Sequence, residues 1–224
     1  DTSKVTSLVK TFYSATSFNS DISQWDTSIV TTLQETFYNA TSFNSDLPNW
    51  NTSSVVYALE GTFKEATSFN GDLTNWDTSR LVKFTWTFNG ATSFNGDISR
   101  WITSKVENMQ EIFTQASAFN GDISDWDTSK VTNLHYTFYN ATSFNGDISN
   151  WNISKVIIFT SIFDLTDALE DCTKRFIKDS WSDQDGSFTT YASWGSLCED
   201  ECGVVTGDNS SCTDDCGVVN GDNS

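Results

Sequence analysis

Six tryptophans, Trp25, Trp50, Trp76, Trp101, Trp126 and Trp151, stand 25, 26, 25, 25 and 25 residues apart. The one extra residue falls in "VVYALEGTF", just before Phe63. A phrase travels with them: "SFNGDISRW" at Ser93–Trp101, "AFNGDISDW" at Ala118–Trp126, "SFNGDISNW" at Ser143–Trp151. Phe18, Phe43, Phe69, Phe94, Phe119 and Phe144 open it, each followed by Asn, then an Asp, then Ile or Leu. A period in this range belongs to solenoids, propellers and arrays. A unit of this size cannot bury its own apolar face, so it must stack on its neighbours. Each repeat therefore supplies one layer of a continuous core, and the six tryptophans are the core residues expected to plug it.

Spacing within a repeat points to local structure. Val131, Leu134, Phe138, Ala141 and Phe144 are separated by three or four residues, a helical spacing. Asp127, Thr128 and Ser129 precede them as N-cap residues, and Ser104 and Glu107 stand at capping-box spacing. This predicts a helical segment over about 129–140. The Phe-Asn-Gly-Asp-Ile stretch is too short and polar for a helix and reads as a tight turn into a short strand centred on Ile148. The stacked Asn residues are expected to satisfy backbone amides of the next repeat. The fold class is then an α/β repeat, a leucine-rich-repeat-like solenoid of about six such units.

Three regions follow: 1–163 as solenoid, 164–198 as a C-terminal cap, and 199–224 as a short Cys/Gly/Asp/Ser repeat tail. Phe176, Trp181, Phe188, Tyr191 and Trp194 are the side chains available to cover the last repeat, since an open solenoid end exposes apolar surface. The tail, "CGVVTGDNSSCTDD" and then "CGVVNGDNS", has almost no large side chains and cannot build a core.

The formal net charge of −18 and pI near 4.1 argue against nucleic-acid and anionic-membrane partners. No apolar run approaches the roughly 18 residues that span a bilayer, and no signal peptide is visible. The chain opens on "DTSKV", which aligns with Asp127–Val131, so a longer precursor is expected.

The cysteines are Cys172, Cys198, Cys202, Cys212 and Cys216. Their spacings, without nearby His, fit zinc poorly, and disulfides in an oxidising compartment are expected instead. The tail repeat pairs Cys202 with Cys212 and leaves Cys216 for a partner past Ser224; Cys172 and Cys198 would staple the cap. The carboxylates Asp21, Asp46, Asp72, Asp97, Asp122 and Asp147 form a row. One reading is a calcium-binding groove; the other, which the habits of Asp in turns favour, is acceptance of backbone N–H bonds. "GDNSS" in the tail is oxygen-rich but lacks the acidic spacing of a calcium loop. No cofactor is expected. His135 is the single histidine, in a row with Gln34, Thr85 and Gln110, and no motif for nucleophilic catalysis accompanies it. Asn39, Asn51, Asn140, Asn152 and Asn209 begin N-glycosylation sequons. In a eukaryotic source several are expected to carry glycans on the convex side.

"FNGDISNWNISKV" and "FNGDISDWDTSKVTNL" resemble the repeat of BspA-type leucine-rich-repeat surface proteins, also described as a domain of unknown function first noted in mycoplasma and listerial surface proteins. The resemblance covers residues 1 to about 163. It departs where the usual Met before the Phe is mostly replaced, Met109 excepted. "DALEDCTKRFIKDSWSDQ" resembles the capping segment that follows such repeats. The resemblance implies an extracellular or cell-surface protein without catalysis, acting in adhesion or a surface array. The functional expectation is a surface or structural subunit that self-associates into a fibre or array, its tail packing on the next copy. The alternative is a module that binds glycans or surface proteins on its concave face. An ice-binding array is a third class, weakened because Thr27, Thr52, Thr78, Thr103 and Thr128 occupy cap-like positions.

Overall fold

A computed structural model describes residues 1–185, 188, 191, 193 and 194. Successive repeats lie against one another along three aromatic columns. Phe37, Phe63, Phe88, Phe113 and Phe138 stack with ring centroids 5.4–5.9 Å apart. Phe43, Phe69, Phe94, Phe119 and Phe144 form a second column at 5.7–6.1 Å. The tryptophans form the third, at 6.3–6.4 Å. Trp50 to Trp151 are buried, while Trp25 is partly buried. A buried indole must place its N–H, and each finds a carbonyl one repeat back: Trp50 Nε1 donates to Ile22 O (3.0 Å) and Trp151 Nε1 to Ile123 O (3.0 Å). Burial of each indole contributes about 4–6 kcal/mol of transfer free energy before entropy is charged against it.

The helix expected over 129–140 is not formed. That stretch is a chain of turns, with amides of Val131, Thr137, Tyr139, Ala141 and Phe144 each donating to the carbonyl three residues earlier. Inward residues at corners of such turns recur every three or four positions, as on a helix face. The N–H groups that a helix would use internally go to the neighbouring repeat. Leu134, Tyr136, Phe138 and Asn140 donate to Ile158, Thr160, Ile162 and Asp164 at 2.8–3.0 Å. Helix continuation is blocked because Tyr136 and Asn140 hold φ of 51° and 56°. Their counterparts in the other repeats, such as Glu111 (54°) and Gln115 (58°), do the same.

The strand also lies elsewhere. Tyr57–Ala58 (β1) pairs in parallel with Leu81–Lys83 (β2), and single parallel bridges link Lys83, Asn108, Asn133 and Ile158. Extended pairing thus falls inside the segment read as helical. Ile148, the expected strand centre, is a turn corner whose carbonyl accepts Trp151 N–H at 3.0 Å.

Polar side chains tie the repeats together. The Oδ1 atoms of Asn19, Asn44, Asn70, Asn95 and Asn120 accept the backbone N–H of the next Asn at 2.7–2.8 Å, and Asn145 accepts Glu170 N–H. Thr27, Thr52, Thr78, Thr103 and Thr128 cap no helix. They are buried, and each hydroxyl donates to a carbonyl of the following repeat at 3.0–3.2 Å.

Repeat-type bonds continue past residue 163, through Thr166 and Glu170, before helix α1 at Asp171–Gln184. Helix α1 lays Trp181 at the end of the tryptophan column, its Nε1 donating to Ile148 O at 3.3 Å. Trp181 stands 5.9 Å from Phe163 at 36°, close to the Phe138–Trp151 geometry of 6.0 Å and 38°. Gln184 accepts Ile153 N–H and donates to Trp151 O, and Ser180 donates to Ser149 O. Phe188 is buried, and Tyr191 and Trp194 pack against the core. Ile177, rather than Phe176, is the buried partner of Trp181 on the helix.

Candidate binding face

Residues facing the core barely change from repeat to repeat, whereas one stretch changes at every step, most of it exposed or half-exposed, with Gly61, Asn89 and Thr114 buried. Lys10, Glu35, Gly61, Trp86, Glu111 and Tyr136 occupy one row; Tyr13, Tyr38, Lys64, Asn89, Thr114 and Tyr139 occupy the row beside it. The first row sits wholly at positive φ, 50–58°. Left-handed backbone costs a non-glycine residue roughly 1–2 kcal/mol, and for rings as bulky as Trp86 and Tyr136 it is a true outlier. Gly61 meets that requirement without strain, yet most repeats place a large side chain there.

The two halves of this face differ in chemistry. Towards the N-terminus, rings and lysines alternate. Tyr13 stacks on Tyr38 at 4.6 Å, Lys10 Nζ lies 5.2 Å from the Tyr13 ring, and Lys64 Nζ lies 5.5 Å from Tyr38 and 5.0 Å from Trp86. Lys10 also pairs with Glu35 at 3.1 Å. Desolvation, with the carboxylate of Glu65 beside it, pushes the Tyr38 hydroxyl above its ordinary pKa. At the strand edge, Lys83 lies over Tyr57 at 5.0 Å, and its hydrogen bond to Tyr57 raises the Lys83 pKa. Towards the C-terminus side-chain amides and rings surround one carboxylate, Glu111. Asn89 Nδ2 and Gln110 Nε2 each donate to Glu111 at 3.0 Å, and Asn133 Nδ2 donates to Gln110 Oε1 at 3.3 Å. Tyr136 and Tyr139 meet edge to face at 5.0 Å, with His135 4.1 Å from Tyr136.

The exposed Asp row repeats itself, because its side chains serve the backbone. Asp21, Asp72, Asp97, Asp122 and Asp147 each accept the N–H two residues on, at 2.9–3.0 Å. Asp46 faces Pro48, which has no N–H, and accepts Asp72 N–H at 3.0 Å instead. The Ser99 hydroxyl and amide hold Asp97 below the ordinary carboxylate range, and the Ser23 amide and hydroxyl do the same for Asp21. Among the described residues no group of three or more His, Cys, Asp or Glu is placed to hold a metal ion, and no helix is long and apolar enough to cross a membrane.

Cys172 is disulfide-bonded. Cys198, Cys202, Cys212 and Cys216, the sequon at Asn209 and the whole tail lie outside the described residues. Asn51 and Asn152 are exposed, their Oδ1 atoms accepting the amide and hydroxyl of Ser53 and Ser154. Asn39 and Asn140 are half-exposed on the variable face, with Asn39 Nδ2 donating to Ser14 Oγ at 3.3 Å. His135 Nδ1 is buried without a hydrogen-bond partner among the described residues. No catalytic motif marks the His135 row in the sequence, and no motif marks the adjoining Trp86 and Tyr38 rows. The signal was present, as variation confined to a few positions of an otherwise uniform repeat.

A family model described as a mycoplasma protein of unknown function, DUF285, matches residues 1–85 and again 57–176. The chain belongs to this family. The two DUF285 matches run through the repeats and into α1, so one family pattern spans both the stacked layers and the start of the helix that covers them. No curated protein and no solved structure matches the chain.

Proposed function

We propose that the chain is a leucine-rich-repeat-like solenoid of the BspA type, a non-catalytic extracellular or cell-surface protein that adheres through the variable face. The observation that carries this reading is the placement of large, unlike side chains at strained left-handed positions, Trp86 and Tyr136 above all, on a scaffold otherwise repeated almost word for word. Strain of that kind persists where side-chain chemistry is selected over backbone ease. The disulfide at Cys172 supports an oxidising compartment. No cofactor enters this reading, and the bonded Asp row supports a structural role for those carboxylates over a calcium groove.

The test is surface binding by the full chain, scored on immobilised cells and on glycan and protein arrays. Trp86→Gly and Tyr136→Gly remove the rings while suiting the backbone, so both proteins should fold. Loss of binding in the double variant, with Ser93→Ala, exposed outside the two variable rows, unaffected, is the expected result. Equal binding by all three proteins overturns the reading.

A further inference from the structure

We propose that the C-terminal half of the variable face, around His135, Tyr136 and Tyr139, is a subsite for a neutral glycan. This rests on the adhesive reading above and names the ligand chemistry of part of that face. Three features of the site converge on an uncharged polyhydroxylated ligand. First, the rings there are uncovered by cations: lysines lie over Tyr13, Tyr38, Tyr57 and Trp86, but among the described residues none lies over Tyr136 or Tyr139, whose ring contacts are with each other and with His135. Uncovered aromatic rings suit the C–H faces of a sugar. Second, the polar groups form a held array. Glu111 takes one amide N–H on each oxygen, from Asn89 and Gln110, and Gln110 is itself held by Asn133. Side-chain amides offer donor and acceptor together, as vicinal hydroxyls require. Third, His135 Nδ1 is a buried polar atom with no hydrogen-bond partner among the described residues. An unmet group of that kind is costly, and a ligand hydroxyl would satisfy it once the neighbouring Tyr136 ring, 4.1 Å away, gives way.

Other ligand classes fit less well. An anionic ligand finds no cation among these side chains, on a chain of net charge −18. A cationic ligand would have to share Glu111 with the two amide N–H groups already bonded to its oxygens. An apolar ligand would leave Nδ1 of His135 unmet.

His135 is the only histidine, so its ring protons are a single reporter in NMR spectra of the full chain. Cellohexaose, maltohexaose and mannohexaose are titrated against oligogalacturonate as the acidic control. At least one neutral hexaose is expected to shift the His135 signals saturably, with no saturable shift from the acidic probe. Tyr136→Gly, which keeps a glycine-compatible φ, should weaken that binding tenfold or more. No saturable shift with any neutral probe, saturation by the acidic one, or affinity within twofold in Tyr136→Gly overturns the subsite. Cell adhesion scored in parallel separates the two ideas. Adhesion that survives Tyr136→Gly but falls with Trp86→Gly overturns the glycan subsite while the adhesive face stands; adhesion untouched by both removes the face as well.

Discussion

Trp86, Glu111, Gln115 and Tyr136 hold φ between 51° and 58°, where a side chain crowds its own carbonyl. The cost is local and can be relieved. Gln115 is exposed and makes no side-chain hydrogen bond among the described residues, so Gln115→Gly should stabilise the chain by about 0.5–1 kcal/mol, the strain relief less the added unfolded-state freedom. The reverse change is unfavourable twice over. At Gly90, φ is 71° and a Cβ would come within 3.2 Å of Glu65 Cγ, so Gly90→Ala should lower the urea midpoint. Inside the core, Trp101 is buried between Trp76 and Trp126, its N–H directed at Leu73 O. Trp101→Ala should cost about 3–5 kcal/mol through the cavity left behind. Urea denaturation of the three variants gives all three values, and an unchanged midpoint for Trp101→Ala would remove that indole from the core.

At the scale of elements, most of the chain is held by turns and ladders rather than by helices and sheets, and this sets its response to acid. Asp97 and Asp127 lie below their ordinary pKa of 3.8, each through the hydroxyl and amide of the serine two residues on. Asp122 is lowered by the amide and hydroxyl of Ser124. A carboxyl depressed on folding contributes stability that is complete above its unfolded pKa and lost as pH falls through its folded value. Stability should therefore hold steady from neutral pH down to about 5 and decline below about 4. Melting curves across that range check it, with Asp97→Asn and Asp122→Asn together flattening the acid limb; a decline beginning near neutrality would contradict it. The Asn row offers an element-level counterpart. Asn95→Ala strips the acceptor from Asn120 N–H and should cost about 1 kcal/mol without altering the acid limb.

For the molecule as a whole, the stack has unlike ends. Between Leu134 and Asn140, N–H groups point to the following repeat, and the carbonyls that receive them point back. An end-to-end contact between copies would therefore join donors to acceptors, which is heterologous and open-ended. At the C-terminal end that contact is already occupied by α1 and its neighbours: Trp181 completes the indole column, and Tyr191 Oη accepts Phe163 N–H at 2.9 Å while donating to Asp164 at 2.7 Å. Direct repeat-on-repeat association into a fibre thus requires α1 to be displaced. Truncation after Glu170 should expose the donor edge and turn the protein into concentration-dependent oligomers, measured by sedimentation velocity. A truncated chain that stays monomeric and folded would show that the helix is not what blocks association.

The sequence by itself determined the period and the identity of the inward residues, because burial is written in residue type and the same types return every 25 or 26 positions; for the end of the stack it offered five aromatic residues, of which Trp181 and not Phe176 is buried on the helix. The Asn row could be read for the same reason, since a stacked turn must give its amides a partner. It misassigned the path between those points. Val131, Leu134, Phe138 and Ala141 carry a helical spacing, but successive turns produce that spacing too. What separates the two is the sign of φ at Tyr136 and Asn140, and neither residue is a glycine that would announce it. The variable face depended on the same decision. Only after the left-handed corners send alternate N–H groups to the next repeat do Lys64 and Trp86, or Tyr136 and Tyr139, come to lie side by side. Residue type fixes what must be buried; which bonds the backbone makes, within a turn or across to a neighbour, is settled by the packed layers on either side.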